Sequence, residues 1–146
     1  MMQKILRLFF VMYLTLCSHL LLAEEKAMNI TIEINGEKTV QAQLHSNQTA
    51  KDFYSLLPLT LELRDFAGTE KASDALPRKL DTTNAVDGHK PSAGELAIYS
   101  PWNNLALFYK DDKYAEGLIP IGRLDADETA FNIPGSVIVD ITVAHD

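Results

Sequence analysis

The sequence predicts a mainly β domain of the sandwich or barrel type. Three observations carry this. Apolar and polar residues alternate with period two in several separate segments, which is the mark of half-buried strands. Turn-forming residues punctuate those segments at short intervals, as in small all-β folds. Hydrophobic residues make up 47% and charged residues 23% of the 146-residue chain, enough to build one packed core and not a disordered or collagen-like chain. Internal repeats and low-complexity stretches are absent.

The elements follow in chain order. Met28 to Ile34 alternates, with Ile30, Ile32 and Ile34 on one face and Asn29, Thr31 and Glu33 on the other. Asn35-Gly36 then supplies a hairpin turn, because a type I′ turn needs positive φ at both central residues. The returning strand covers about Glu37 to His45, with Val40, Ala42 and Leu44 inward. Ser46-Asn47-Gln48-Thr49 offers helix N-caps, and Ala50, Phe53, Tyr54 and Leu57 recur at helical spacing. The spacing predicts one short helix over about Thr49 to Leu57, stopped by Pro58. Leu59 to Phe66 alternates again. From Ala67 to Gly94 the pattern is lost, and the expectation is a long irregular excursion of the kind that carries function. Glu95 to Tyr99 reads as a strand and Ser100 to Asn104 as a turn. Leu105 to Tyr109 is an almost unbroken apolar strand. Lys110 to Gly117 is a charged loop. Leu118 to Leu124 is a strand in which Pro120 implies an edge or a bulge. Asp125 to Gly135 is a loop with one possible helical turn, and Ser136 to Val143 closes the set. The total is about seven strands and one helix.

Residues 1–23 read as an export signal. Lys4 and Arg7 precede an apolar run from Leu8 to Leu16, no acidic residue occurs before Glu24, and Ala23 fits the position before a cleavage site. The alternatives are an uncleaved anchor, for which the run is short and interrupted by Ser18 and His19, and a lipoprotein signal ending at Cys17, which the bulky Leu16 opposes. Cleavage leaves residues 24–146 as one domain, periplasmic or secreted. It also removes the one cysteine and two of the 13 basic residues, so 11 face 20 acidic ones, net −9 over 123 residues. Such a domain is stable by burial alone, without a disulfide. The acidic balance argues against nucleic-acid partners and anionic membranes. No stable membrane insertion is expected after cleavage.

Several strings resemble the family of small bacterial cyclophilin-like domains. The most specific is Ser100-Pro-Trp-Asn-Asn-Leu-Ala-Leu-Phe-Tyr-Lys110. Glu62-Leu-Arg-Asp-Phe-Ala-Gly-Thr-Glu70, Leu76-Pro-Arg-Lys-Leu80, Gly94-Glu-Leu-Ala-Ile-Tyr99 and Ile121-Gly-Arg-Leu124 match further elements. The resemblance spans about Met28 to Val143. It implies a small closed cyclophilin-like β-barrel with a helix plugging one end. True cyclophilins place an arginine beside an apolar proline pocket, where it polarises the prolyl amide. Arg64 occupies a comparable early strand, but Leu61-Glu-Leu-Arg-Asp-Phe66 does not match that phenylalanine-rich motif, so no residue carries over as catalytic.

Six residues are candidates for ligand binding. Arg64 suits a carboxylate or carbonyl, though an outward strand arginine is commonly paired to a neighbour. Glu70 follows it in the loop. Tyr99, Trp102 and Tyr109 belong to an aromatic crowd that also includes Phe108, and aromatic groups with polar handles line binding clefts. Phe108 suits core packing better, and Trp102, in a turn, is the surface candidate. Asn104 suits a turn or a ligand contact. Metal chemistry and cofactors are not expected. His45, His89 and His145 lack paired spacing. Asp125-Ala-Asp127-Glu128 begins like a calcium loop, but Ala130 and Ser136 stand where glycine and glutamate are needed. No nucleophile elbow or phosphate loop occurs. Asn29-Ile-Thr31 and Asn47-Gln-Thr49 are sequons of use only in a eukaryotic secretory route. The expected function is an exported barrel that binds a small molecule or an extended peptide. The alternatives are a peptidyl-prolyl isomerase acting on exported proteins and a protein-interaction module with a flat face.

Overall fold

The computed structural model describes residues 24–145. The expected signal over residues 1–23 lies outside them. Among the described residues the strands are β1 (Met28–Ile34), β2 (Lys38–Leu44), β3 (Leu59–Phe66), β4 (Glu70–Ala75), β5 (Gly88–His89), β6 (Glu95–Tyr99), β7 (Asn104–Phe108), β8 (Ala115–Glu116), β9 (Leu118–Leu124) and β10 (Val137–Val143), with one helix, α1 (Gln48–Ser55). Eight strands close a barrel in the order β1-β10-β3-β4-β7-β6-β9-β2, and β5 and β8 form a separate two-stranded ribbon.

Closure follows from the alternation. Ile30, Ile32, Val40, Ala42, Leu63, Leu96, Ile98, Leu105, Leu107, Ile121, Val139 and Ile141 all point inward and form one buried core. The first hairpin forms as expected, with Asn35 and Gly36 both at positive φ. Glu37 joins them in the loop, because Ile34 pairs with Lys38. Asn35 also ties the hairpin to its neighbour: its amide N–H donates to the Ile138 carbonyl at 2.8 Å, and its side-chain oxygen accepts from the Ile138 N–H at 2.9 Å. The last seam, between β2 and β9, depends on Gly122, which pairs with Leu44. A Cβ there would lie 2.7 Å from the Gln43 carbonyl oxygen and 3.0 Å from the Leu44 Cα. Pro120 coincides with a register shift: Leu96 pairs with Gly122 but Ala97 with Pro120, the bulge that the proline implied.

α1 begins at Asn47, whose side chain accepts from the Ala50 N–H and donates to the Pro120 carbonyl at 2.9 Å. The helix places Ala50 and Phe53 in the barrel core, at the end where β2 finishes and β3 starts. At the other end the 125–136 loop contributes Ala130 and Phe131 to the same core. A buried lysine fastens that loop. Lys71 is fully buried. Its ammonium donates to the carbonyls of Ile133 and Gly135, both at 2.7 Å, and to Asp65 Oδ1 at 3.0 Å. All three of its protons are thereby used. The Tyr109 hydroxyl donates to the same Asp65 oxygen at 2.8 Å.

The segment expected to be irregular, Ala67–Gly94, contains a complete barrel strand. β4 pairs with β3 through Leu63–Ser73 to Phe66–Glu70 and with β7 through Glu70–Phe108 to Ala75–Asn104. The alternation is present, but its inward members are Lys71 and Ser73, so an apolar pattern could not reveal it. β5 lies in the same segment, and β8 lies in the expected 110–117 loop.

Candidate functional site

A second, smaller apolar cluster lies on the outside of the barrel wall. Residues of opposite parity to the core, Ala97 on β6, Ala106 and Phe108 on β7 and Leu118 on β9, are buried there, with Tyr99 and Ala115 packed against them. Tyr99, Phe108, Ala115 and Leu118 of this cluster floor a cleft of about 330 Å³, whose lining also includes Phe66, Glu70, Trp102, Asn104, Asp112, Lys113 and Tyr114. The 110–117 segment, carrying β8, supplies one wall. This is the size range of small-molecule sites.

Trp102 projects from the turn between β6 and β7. Its ring stands edge-on to Tyr99, with centroids 5.2 Å apart, and to Phe66, at 5.9 Å. Edge-to-face pairs of this kind fix ring orientation. Trp102 is nevertheless 56% exposed, and Phe66 and Tyr114 are 47% and 58% exposed. The turn is built by Asn103, which takes positive φ. Its side-chain oxygen accepts from the Leu80 N–H at 3.0 Å, and its amide donates to the Arg78 carbonyl at 2.7 Å. The Trp-Asn-Asn turn and the Leu76–Leu80 string are thus hydrogen-bonded to each other. Arg78 then donates twice to Asp52 of α1, at 2.9 and 2.8 Å. That contact, with the Asp81 N–H, holds the Asp52 carboxyl down at about 2.

Two polar groups in the cleft are incompletely paired. Asn104 is 5% exposed. Its amide donates to the Ser73 carbonyl at 3.0 Å, while its side-chain oxygen is buried with no partner among the described residues. A buried acceptor left without a donor is costly. Glu70 lies directly between Phe66 and Phe108 across the ladder. Burial, and then the negative charge of Asp112, push its carboxyl up to about 7. Asp112 goes the other way: the Thr69 hydroxyl, 2.8 Å distant, and the Lys113 N–H keep it below the usual carboxylate range. Neighbouring carboxyls with opposed shifts are a frequent property of working sites.

Four of the six candidates, Glu70, Tyr99, Trp102 and Asn104, therefore line one cleft. Arg64 does not. It lines an adjoining recess of about 520 Å³, which shares Phe66, Trp102 and Asn104 with the first. Its guanidinium is occupied by Asp74 at 2.8 Å and Glu62 at 3.4 Å, so it is the paired outward arginine. Tyr109 is also elsewhere. It points into the barrel, buried against Asp65, and burial pushes its hydroxyl up to about 12. Sequence reasoning missed Phe66, Asp112 and Tyr114. Phe66 was visible as the outward end of the β3 alternation; Asp112 and Tyr114 sit in a loop without periodicity. A wider opening of about 560 Å³ at the Glu25–Met28 lead carries no Phe, Tyr or Trp. Among the described residues no three His, Cys, Asp or Glu side chains are placed to hold a metal ion, and no helix is long and apolar enough to cross a membrane.

An eight-stranded closed barrel with one short helix and an aromatic cleft on its outer wall defines a cyclophilin-type barrel domain. The family model described as the Cyclophilin-like family matches residues 32–142, and the chain belongs to that family. The solution structure of the hypothetical protein AF2241 from Archaeoglobus fulgidus is similar in fold, with a TM-score of 0.60 and 16% identity over 85% of this chain and 100% of that one. No curated protein matches the sequence.

Proposed function

We propose that this chain is an exported binding barrel that takes a small molecule or an extended peptide in the cleft beside Trp102. One observation carries the reading. Among the described residues, the three exposed aromatic side chains, Phe66, Trp102 and Tyr114, all converge on one cleft. Exposed apolar groups gathered in a concavity mark interaction sites more often than scattered ones do. The buried Asn104 oxygen and the half-buried Glu70 carboxyl supply the few polar groups that fix a ligand's orientation. Export rests on residues 1–23 as read from the sequence.

The isomerase reading has less support, because Arg64 is bound to Asp74 and Glu62 and lies outside this cleft. The test is amide chemical-shift mapping with a library of short peptides and small molecules. Shifts confined to Phe66, Glu70, Tyr99 to Asn104 and Asp112 to Ala115 are expected. Binding that maps elsewhere, or nowhere, refutes the reading. Recovery of a chain beginning at Glu24 outside the cytoplasm checks the export half.

A further inference from the structure

The polar equipment of the cleft is biased toward accepting hydrogen bonds. Glu70 offers a carboxyl with no hydrogen-bond partner among the described side chains, and Asp112 offers a second carboxylate. The Asn104 amide is committed to Ser73 through its nitrogen, so what remains is its unpartnered oxygen. The other walls are the rings of Phe66, Tyr99, Trp102 and Tyr114, whose π faces attract cations. Arg64, in the adjoining recess, is held by the carboxylates of Glu62 and Asp74. Lys113, on the rim, is the cleft's one cationic side chain and is exposed. An anion entering here would meet two carboxyls. An uncharged apolar ligand would leave the Glu70 carboxyl and the Asn104 oxygen without donors.

We propose that the cleft takes a ligand carrying a primary alkylammonium head, an inference that rests on the binding-cleft reading above. The ammonium donates to Glu70, and its methylene stem lies against Trp102 and Phe66. Phe66, Trp102 and Asn104 are the residues shared by the two recesses, so an occupant extending toward the Asn104 oxygen passes beside the indole. Binding to a protonated Glu70 also releases one proton: the carboxylic acid gives up its proton to solvent as the carboxylate–ammonium pair forms, and the ligand keeps its own. The head group has two sources, a free amine or a lysine side chain of a peptide.

Trp102 is the one tryptophan in the chain, so its fluorescence reports the cleft directly. The full chain is titrated with n-pentylammonium, with Nα-acetyl-lysine methylamide, and with the isosteric pentanoate and n-pentanol, by fluorescence and by calorimetry. The expected result is a saturable change for the cations, at least ~10-fold tighter than for pentanoate or pentanol, or about 1.4 kcal/mol. Tighter binding of the lysine derivative than of pentylammonium identifies a peptide source, and the reverse a free amine; either supports the head group. Glu70→Gln should weaken cation binding at least ~10-fold and abolish the buffer-dependent heat of proton release near neutral pH. Asp127→Asn makes the same change in net charge at the remote partner of Lys38 and should leave binding unaltered. If pentanoate or pentanol binds as well as the cations, the head group is overturned while the cleft reading stands. If none of the four probes perturbs Trp102, both fall. Cation binding unchanged in a folded Glu70→Gln protein overturns the assignment of the carboxyl.

Discussion

Replacing Glu70 by glutamine should make the protein more stable at pH 8 and leave its stability unchanged at pH 4. Glu70 is flanked by Phe66 and Phe108 and faces Asp112, and its carboxyl is raised from 4.5 to about 7. A carboxyl whose folded pKa exceeds its unfolded one binds its proton more tightly in the native state. Its contribution is fully favourable below about pH 4.5, declines as the pH rises through about 7, and is then a constant penalty. At ~1.4 kcal/mol per pKa unit the rise corresponds to at most about 3 kcal/mol. Solvent at the cleft mouth screens part of this, leaving about 1–2 kcal/mol. Glutamine keeps the shape and removes the ionisation. For a domain of this length each kcal/mol moves Tm by ~3–5 °C, so the variant should melt about 3–10 °C higher at pH 8. Parallel thermal melts of both proteins from pH 4 to pH 9, followed by circular dichroism, measure the difference curve. A difference that is flat across that range, or a wild type that gains on the variant above pH 7, refutes the reasoning.

Other perturbations probe the frame around the cleft. Lys71→Met removes the donor shared by Asp65, Ile133 and Gly135 and should cost about 3 kcal/mol in urea unfolding, since a buried charge network loses its centre. Gly122→Ala forces a Cβ onto the β2 backbone and should cost about 1–3 kcal/mol by overpacking, read from the same urea curves. Asp52 is held at about 2 by Arg78, so its stabilisation is present above its ordinary pKa near 3.8 and lost as pH falls through about 2. Arg78→Ala should return the Asp52 titration toward its ordinary range, as followed by carboxyl-carbon NMR. Arg64→Ala should leave prolyl-peptide isomerisation at its uncatalysed rate in both proteins, measured by a protease-coupled assay; turnover lost on substitution would establish the isomerase instead.

The sequence was legible where strands bury apolar residues on one face. β1, β2, β3 and β10 show plain period-two patterns, and their extents agree with the structure within a residue or so. β4 was hidden because the barrel takes Lys71 and Ser73 inward: Lys71 finds its carbonyl partners 62 and 64 residues away in the chain, and the Ser73 hydroxyl accepts from the Leu105 N–H, 32 residues away. Around the cleft, crowding of aromatic residues near the turn pointed to Tyr99 and Trp102. It could not assign parity in the apolar run of β7. Leu105 and Leu107 face the core and Phe108 faces out, so Tyr109, taken as a cleft residue, turns inward. Arg64 is an outward strand residue in either view. Only the register of β3 and β4, which places Arg64 opposite Ala72, brings Asp74 within its reach.

Closure of the barrel limits how a peptide could be recognised. Every barrel strand has a paired neighbour on each side, and the β5–β8 ribbon is only two residues long on each side. Recognition by strand addition needs a free sheet edge, and a closed sheet has none. An extended peptide would therefore have to lie across the outer wall and be read through its side chains. Selectivity would then follow the spacing between one anchoring group and the recesses beside Trp102. Backbone polarity and strand direction would carry little information, so a retro-inverso peptide that keeps the side-chain spacing should compete with its parent.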